Sequence, residues 1–224
     1  MTDIQNAVWE NSKTGDGHCE GCRNAGGKFN HPGFFNTDAD ILVVEESPSK
    51  NHFNFSGYDR SQDYSWYEHF FEEKHIASVA TWPPVELFLA PIFDGFGYCR
   101  EEIFELCYMT SGVKCPTNAL EASIKHCEAY LQREIEQYAP SIVITAGAKA
   151  TDWTAEILGV SSDQREEVSI SRSRWWGLSE FDTDPPMIHA PHWSYYDIYS
   201  QLTDDEWEQV IKDVQSGLES LGFQ

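Results

Sequence analysis

Four short apolar runs, each ending in a polar loop, constrain this chain more than any other feature. They are "ADILVVEESPS" (39–49), the stretch Phe104–Thr110, the run Ile142–Thr145 within "SIVITAGAKA", and "MIHAP" before "HWSYYD". These runs are apolar throughout and do not alternate with polar residues. Strands of that kind are buried on both faces. Helix-forming stretches lie between them. "NALEASIKHCEAYLQREIEQYAP" (118–140) repeats Ile124, Cys127, Leu131 and Ile135 at helical spacing and ends at Pro140. Another helix follows the Gly turn after Thr145, and "TDDEWEQVIKDVQSGLESLGF" is an amphipathic terminal helix with a Thr/Asp cap. Strands alternating with helices predict an α/β fold, a parallel sheet covered on both faces.

The rest of the chain is less regular. Residues 1–37 are rich in Gly, Asn and His and read as an irregular segment held by metal ligands. Residues 51–75 begin as an aromatic-rich loop and are expected to become a helix near Gln62, burying Trp66 and Phe70. No internal repeat is present, and 1–224 reads as a single domain.

No apolar run approaches the roughly 20 residues that span a bilayer. The opening "MTDIQNAVWENSKTGDG" has neither a basic region nor a continuous apolar core, so the expectation is a cytoplasmic protein with no membrane partner, acting as a monomer. Its six cysteines are then expected to be reduced or metal-bound. The net charge is −22, from 15 Lys+Arg against 37 Asp+Glu. The acidity is spread along the chain, which favours adaptation to a very salty, halophilic cytosol over simple avoidance of polyanions. It neither supports nor excludes nucleic acid.

Ligands of parallel sheets bind where strands end. Three polar loops lie there: "EESPS", "TSGVKCP" and "HAPHWS". Cys19 and Cys22 in "GDGHCEGC" have the spacing of a metal-binding pair, and a closed site needs four ligands. Cys115 in "GVKCPT" and Cys127 in "KHCEAYL" are the expected others, giving C-x2-C…C-x11-C. The alternative for Cys127 is a small buried hydrophobe. Cys99 and Cys107 read as core residues. Four thiolates suit zinc or an iron–sulfur cluster equally by count.

"CEGC", "DILVVEESPS", "YMTSGVKCP", "CEAYLQREIEQYAPSIVITAGAKA" and "HAPHWS" occur in the order and roughly at the intervals seen in the uracil-DNA glycosylase superfamily. The chain resembles most its iron–sulfur-containing branch, family 4. The resemblance runs from Cys19 to about Ser194 and is most specific from Tyr108 to Ala150. It implies a three-layer α/β/α fold with a central four-stranded parallel sheet. It also implies a structural [4Fe–4S] cluster on Cys19, Cys22, Cys115 and Cys127, with zinc the lesser alternative. The partner it implies is DNA, single-stranded or uracil-containing duplex.

The resemblance also assigns site residues. The family's Gly-Glu-x-Pro-Gly loop reads Glu45-Glu46-Ser47-Pro48-Ser49 here, so Glu46 and Pro48 match and both glycines are replaced. Glu46 is the expected catalytic carboxylate, orienting water or balancing the sugar cation. Phe55 in "NFSGYD" stands where an aromatic stacks on the flipped base, a contact worth about 1–3 kcal/mol. His52 is a further base-contact candidate. Ser111 in "TSGVKC" stands where an asparagine reads the uracil edge; a hydroxyl does not present the paired donor and acceptor of an amide. His192 in "PHWS" is the histidine that stabilises the leaving base, with His189 its rival. "SRSRWWG" (171–177) is either a DNA contact, through Arg172 and Arg174 with Trp175 or Trp176, or a strand edge with core tryptophans.

The implied activity is a DNA-repair glycosylase that hydrolyses the N-glycosidic bond of uracil or a related deaminated base. The alternative is a catalytically altered DNA-binding relative that keeps the fold and cluster. A zinc-stabilised α/β protein of unrelated activity is a third reading.

Overall fold

The computed structural model describes residues 3–22, 33–48, 84–115, 117, 119–167, 177–178, 181–197 and 201–224. The strands are β1 (Phe34–Phe35), β2 (Ile41–Glu45), β3 (Cys107–Ser111), β4 (Ile142–Ala146), β5 (Gly177–Leu178) and β6 (Met187–Ala190). The helices are α1 (Asp3–Thr14), α2 (Ala90–Asp94), α3 (Arg100–Leu106), α4 (Leu120–Tyr138), α5 (Ala148–Ile157), α6 (Ser162–Glu167), α7 (Ser194–Asp197) and α8 (Asp204–Ser220), with a π-helical turn Pro84–Leu89 leading into α2.

The sheet order is β1-β3-β2-β4-β6-β5. Its centre, β3-β2-β4-β6, is the expected four-stranded parallel sheet. The two-residue strands β1 and β5 add antiparallel edges outside it. They are too short to show as a sequence pattern. From β2 the chain moves to β3 on one side, then crosses back to β4 on the other. The carboxyl end of β2 is therefore where connections diverge, the place at which sheets of this kind bind ligands.

Each parallel strand buries side chains toward both helix layers. In β2, Ile41 and Val43 face the π-helical turn, α2, α3 and α8, where Phe88, Ile92, Ile103, Trp207 and Val214 complete one core. Leu42 and Val44 face α4 and α5, packing with Leu131, Ile135 and Ala150. This two-sided burial explains the unbroken apolar runs. The Thr/Asp cap of α8 is a capping box: Thr203 Oγ1 accepts the Glu206 amide at 3.3 Å, and Glu206 Oε2 accepts the Thr203 amide at 2.9 Å.

Three expectations need correction. Residues 1–37 are not irregular throughout, because Asp3–Thr14 form α1, which buries Ile4, Val8 and Trp9. Its apolar positions are too few to stand out from the polar background. The second strand does not begin at Phe104, because α3 runs to Leu106 and β3 starts at Cys107. Cys99 is exposed and caps α3, so it is not a core residue, whereas Cys107 is buried as expected. The helix expected near Gln62, with Trp66 and Phe70, and the Arg172–Trp176 patch lie outside the described residues. Among the described residues no helix is long and apolar enough to cross a membrane.

Candidate active site

Strand register brings the ends of the parallel strands level. Glu45 pairs with Ser111 on one side and Ala146 on the other, and Ala146 pairs with Ala190. Side-chain alternation then decides direction. Glu45 follows Ile41 and Val43 to the α8 side, and Ser111 follows Cys107 and Met109 there. Thr110 goes to the α4 side. Both Glu45 and Ser111 are wholly buried. Ser111 Oγ donates to Glu45 Oε1 at 2.7 Å. Burial drives the Glu45 carboxyl up to about 8, against the stabilising Ser111 hydrogen bond.

His192 reaches this pair from the loop beyond β6, with Nε2 4.0 Å from Glu45 Oε2. The Ser194 amide donates to His192 Nδ1 at 3.2 Å, and Ser194 Oγ lies 2.8 Å from the same nitrogen. An N–H pointing at Nδ1 requires a lone pair there. The neutral ring therefore carries its proton on Nε2, facing the strand ends. Trp193, almost fully buried, holds the ring at 4.1 Å between centroids. The rival His189 is buried within β6, in register with Thr145 and Gly177 rather than in the loop.

Glu46 lies beside this cluster. Its Oε1 accepts the Lys149 amide at 3.1 Å in the first turn of α5, a favourable place for negative charge. Burial raises the carboxyl's pKa and the Lys149 amide opposes the shift. Gly147, at φ +101°, leaves room for it: a Cβ there would sit 2.6 Å from Glu46 Oε1. The backbone past β3 is clamped to the same loop, Gly112 N donating to Glu45 O at 2.8 Å and Val113 N to Glu46 O at 3.0 Å. His52 and Phe55 lie outside the described residues.

The opposite face carries another buried carboxyl. Glu134 of α4 is paired with Lys114 at 2.5 Å, and both side chains are buried. Thr110 donates to Glu134 at 3.1 Å and Tyr108 at 3.2 Å, while Lys114 Nζ also donates to Thr110 at 2.6 Å. This network ties β3 to α4 and fixes the loop that carries Cys115.

The cysteines gather next to it. The Lys114 amide reaches Cys127 Sγ at 3.5 Å, and Cys115 is the next residue. The turn Gly17–Cys19 packs on α4, with Cys19 against Tyr130 and His126 Nδ1 3.2 Å from His18 O. Burial pushes the Cys127 thiol up to about 12, and charge on Cys19 and Cys22 pushes it the same way. Cys19, Cys115 and Cys127 are buried and Cys22 half-buried. Four thiols are the chemistry that a four-thiolate centre needs, and Cys19, Cys22 and Cys127 lie near enough to interact electrostatically. Among the described residues, however, no group of three or more His, Cys, Asp or Glu side chains is arranged to hold a metal ion.

Sequence reasoning chose Glu46 and passed over Glu45. The signal was available: Glu45 ends a strand of otherwise apolar residues, two positions beyond a core valine, and so inherits a buried direction.

Comparison with family models matches residues 32–215 to the uracil DNA glycosylase superfamily. The matched span contains Glu45, Glu46, Ser111, His192, Cys115 and Cys127; Cys19 and Cys22 precede it. No curated protein matches the chain.

Proposed function

The chain belongs to the uracil-DNA glycosylase superfamily, and from that premise we propose that it removes uracil or a related deaminated base from DNA by hydrolysing the N-glycosidic bond. The single observation that carries this reading is the neutral His192, its Nε2–H fixed by the Ser194 amide and directed at the strand ends beside Glu45 and Ser111. The target base has to leave the stack before any protein group reaches its sugar bond, at a cost of a few kcal/mol. As the C1′–N bond breaks, its electron pair leaves with the base. A preorganised N–H stabilises that charge in a largely buried site. Water adds its oxygen to C1′. Glu46, pinned at the start of α5, orients the water and takes its proton, which passes on to the departed base. Its raised pKa brings it nearer the working pH of a general base. The products are a free base and an abasic site.

Within the superfamily we place the chain with the iron–sulfur branch. Cys19, Cys22, Cys115 and Cys127 hold the [4Fe–4S] cluster in this reading. When bound, the cluster would fasten the amino-terminal segment to α4, a structural role with no redox step. Purification without oxygen followed by iron and acid-labile sulfide analysis tests it; zinc without sulfide would refute it.

The activity test is incubation with uracil-containing single-stranded DNA in molar potassium chloride, then alkaline cleavage of abasic sites. Strand breaks that disappear in His192→Ala support the glycosylase reading. Binding without breaks supports the second reading, a DNA-binding relative with altered chemistry, which Ser111 in place of the family's asparagine favours.

A further inference from the structure

Glu45 is a carboxyl in a place where the fold supplies much cheaper fillers. β4 and β6 end at the same level in Ala146 and Ala190. A wholly buried glutamate at the adjoining end of β2 costs desolvation that an apolar residue would not. Its contacts show what it does there. Oε1 accepts the Ser111 hydroxyl at 2.7 Å, and Oε2 points toward His192 at 4.0 Å. Facing it are Ser111 from β3, Lys114 from the loop beyond β3, Glu46 from its own loop and His192 from beyond β6, while β4 presents Ala146. Lys114 is committed to Glu134 and Thr110 on the other face.

We propose that Glu45 and Ser111 together read the target base, Glu45 acting as an uncharged carboxyl whose Oε2–H donates to a base carbonyl while Ser111 Oγ accepts from the neighbouring ring N–H. The proton arithmetic follows from the hydrogen bond. In this proposal Ser111 gives its only proton to Oε1 across the 2.7 Å contact, so its lone pairs accept. Oε1 is then the carbonyl oxygen of the acid, and Oε2 carries the proton. One serine cannot offer a donor and an acceptor side by side; the serine–carboxyl pair can. The complementary edge is a lactam, a C=O beside an N–H, as in uracil and hypoxanthine. Cytosine presents an amino group and a bare ring nitrogen and meets both groups with the wrong sign. Buried polar groups left unmatched make such discrimination steep. Ionised Glu45 would turn Oε2 into an acceptor that repels the carbonyl and tolerates the cytosine amino group. Glu45 therefore sets specificity as well as affinity. The raised carboxyl, at about 8, keeps it mostly uncharged near neutrality and lets it titrate within a measurable range.

This inference rests on the glycosylase reading for its substrate, so the test separates the two. Single-turnover cleavage of oligonucleotides holding one uracil, one hypoxanthine or only cytosine is measured from about pH 6 to about pH 9 for the wild type, Glu45→Gln and Glu45→Ala. Glutamine keeps the donor and acceptor but cannot ionise. Wild-type cleavage of uracil and hypoxanthine should fall about tenfold across the titration of Glu45, and preference over cytosine should narrow with it. Glu45→Gln should stay within about threefold of the wild type at the acid end, with that decline and that narrowing gone. Glu45→Ala should lose about a hundredfold or more at every pH, and thermal melting checks that it folds. Ionisation of the base affects all three proteins alike, so the difference between profiles isolates Glu45. Equal alkaline declines in the wild type and Glu45→Gln, or full activity in Glu45→Ala, overturn the proposal and leave the glycosylase reading standing. If the wild type cleaves nothing, binding of free uracil is titrated over the same pH range. Binding that weakens with pH in the wild type but not in Glu45→Gln keeps the recognition and sinks the chemistry. Absent binding, or identical profiles, sinks the recognition.

Discussion

Glu45 and Glu134 are both wholly buried at the same end of one sheet, on opposite faces, and the two faces treat a buried carboxyl differently. Glu134 meets the ammonium of Lys114 and the hydroxyls of Thr110 and Tyr108. Burial raises its pKa, and every one of those partners opposes the shift. Glu45 accepts a hydroxyl on one oxygen, and the His192 Nε2 lies 4.0 Å from the other. Its carboxyl sits at about 8, with burial dominant. The first arrangement locks an ion pair and joins a strand to a helix. The second leaves a carboxyl that can change its proton state. A buried acid with a dedicated cation is architecture; a buried acid at a strand end, facing a histidine, is a candidate for chemistry.

The locked side gives the largest expected effect. Lys114→Met strands Glu134 and should cost about 3–5 kcal/mol in denaturant unfolding, with most of it recovered by adding Glu134→Leu. If the single variant is as stable as the wild type, the distinction between the faces breaks. On the other side, His192→Ala should slow base removal about 10²–10³-fold, about 2.7–4 kcal/mol in the barrier, with little change in the unfolding midpoint. A large loss of stability instead would make His192 part of the architecture too.

A third measurement compares pH dependence. The folded Glu45 carboxyl lies above its ordinary 4.5, so the folded state holds a proton that the unfolded chain gives up. Its contribution is fully present below 4.5 and is lost as pH rises through about 8. Wild-type stability should therefore fall over that window by something on the order of a few kcal/mol more than that of Glu45→Gln. Parallel curves for the two proteins would place Glu45 with the locked class. The smallest effect serves as a reference remote from both faces: Thr203→Ala removes the α8 cap and should cost about 1 kcal/mol without altering the pH dependence.

Much of this was legible in the residues. Unbroken apolar runs gave the parallel sheet, because a strand covered on both sides has no polar face to show. Helical spacing at Ile124, Cys127, Leu131 and Ile135 gave α4, and three of the strand-end loops marked the site. Helix α1 and the edge strands were illegible for lack of pattern. The burial of Glu45 beside Glu46 went unread for another reason. Motif matching weighs residue identity, whereas burial follows the alternation of a strand past its last apolar residue.

The amino-acid order alone fixed the layered α/β plan, the polar loops at the strand ends and the close spacing of Cys19 and Cys22, since hydrophobic periodicity and short-range spacing are local properties of a chain. Tertiary structure alone decided that Glu45 meets Ser111, that Ser194 sets the proton of His192, and that Lys114 serves Glu134 rather than Glu45. Those outcomes depend on strand register and on which face a side chain takes, and both are settled only when distant segments pack.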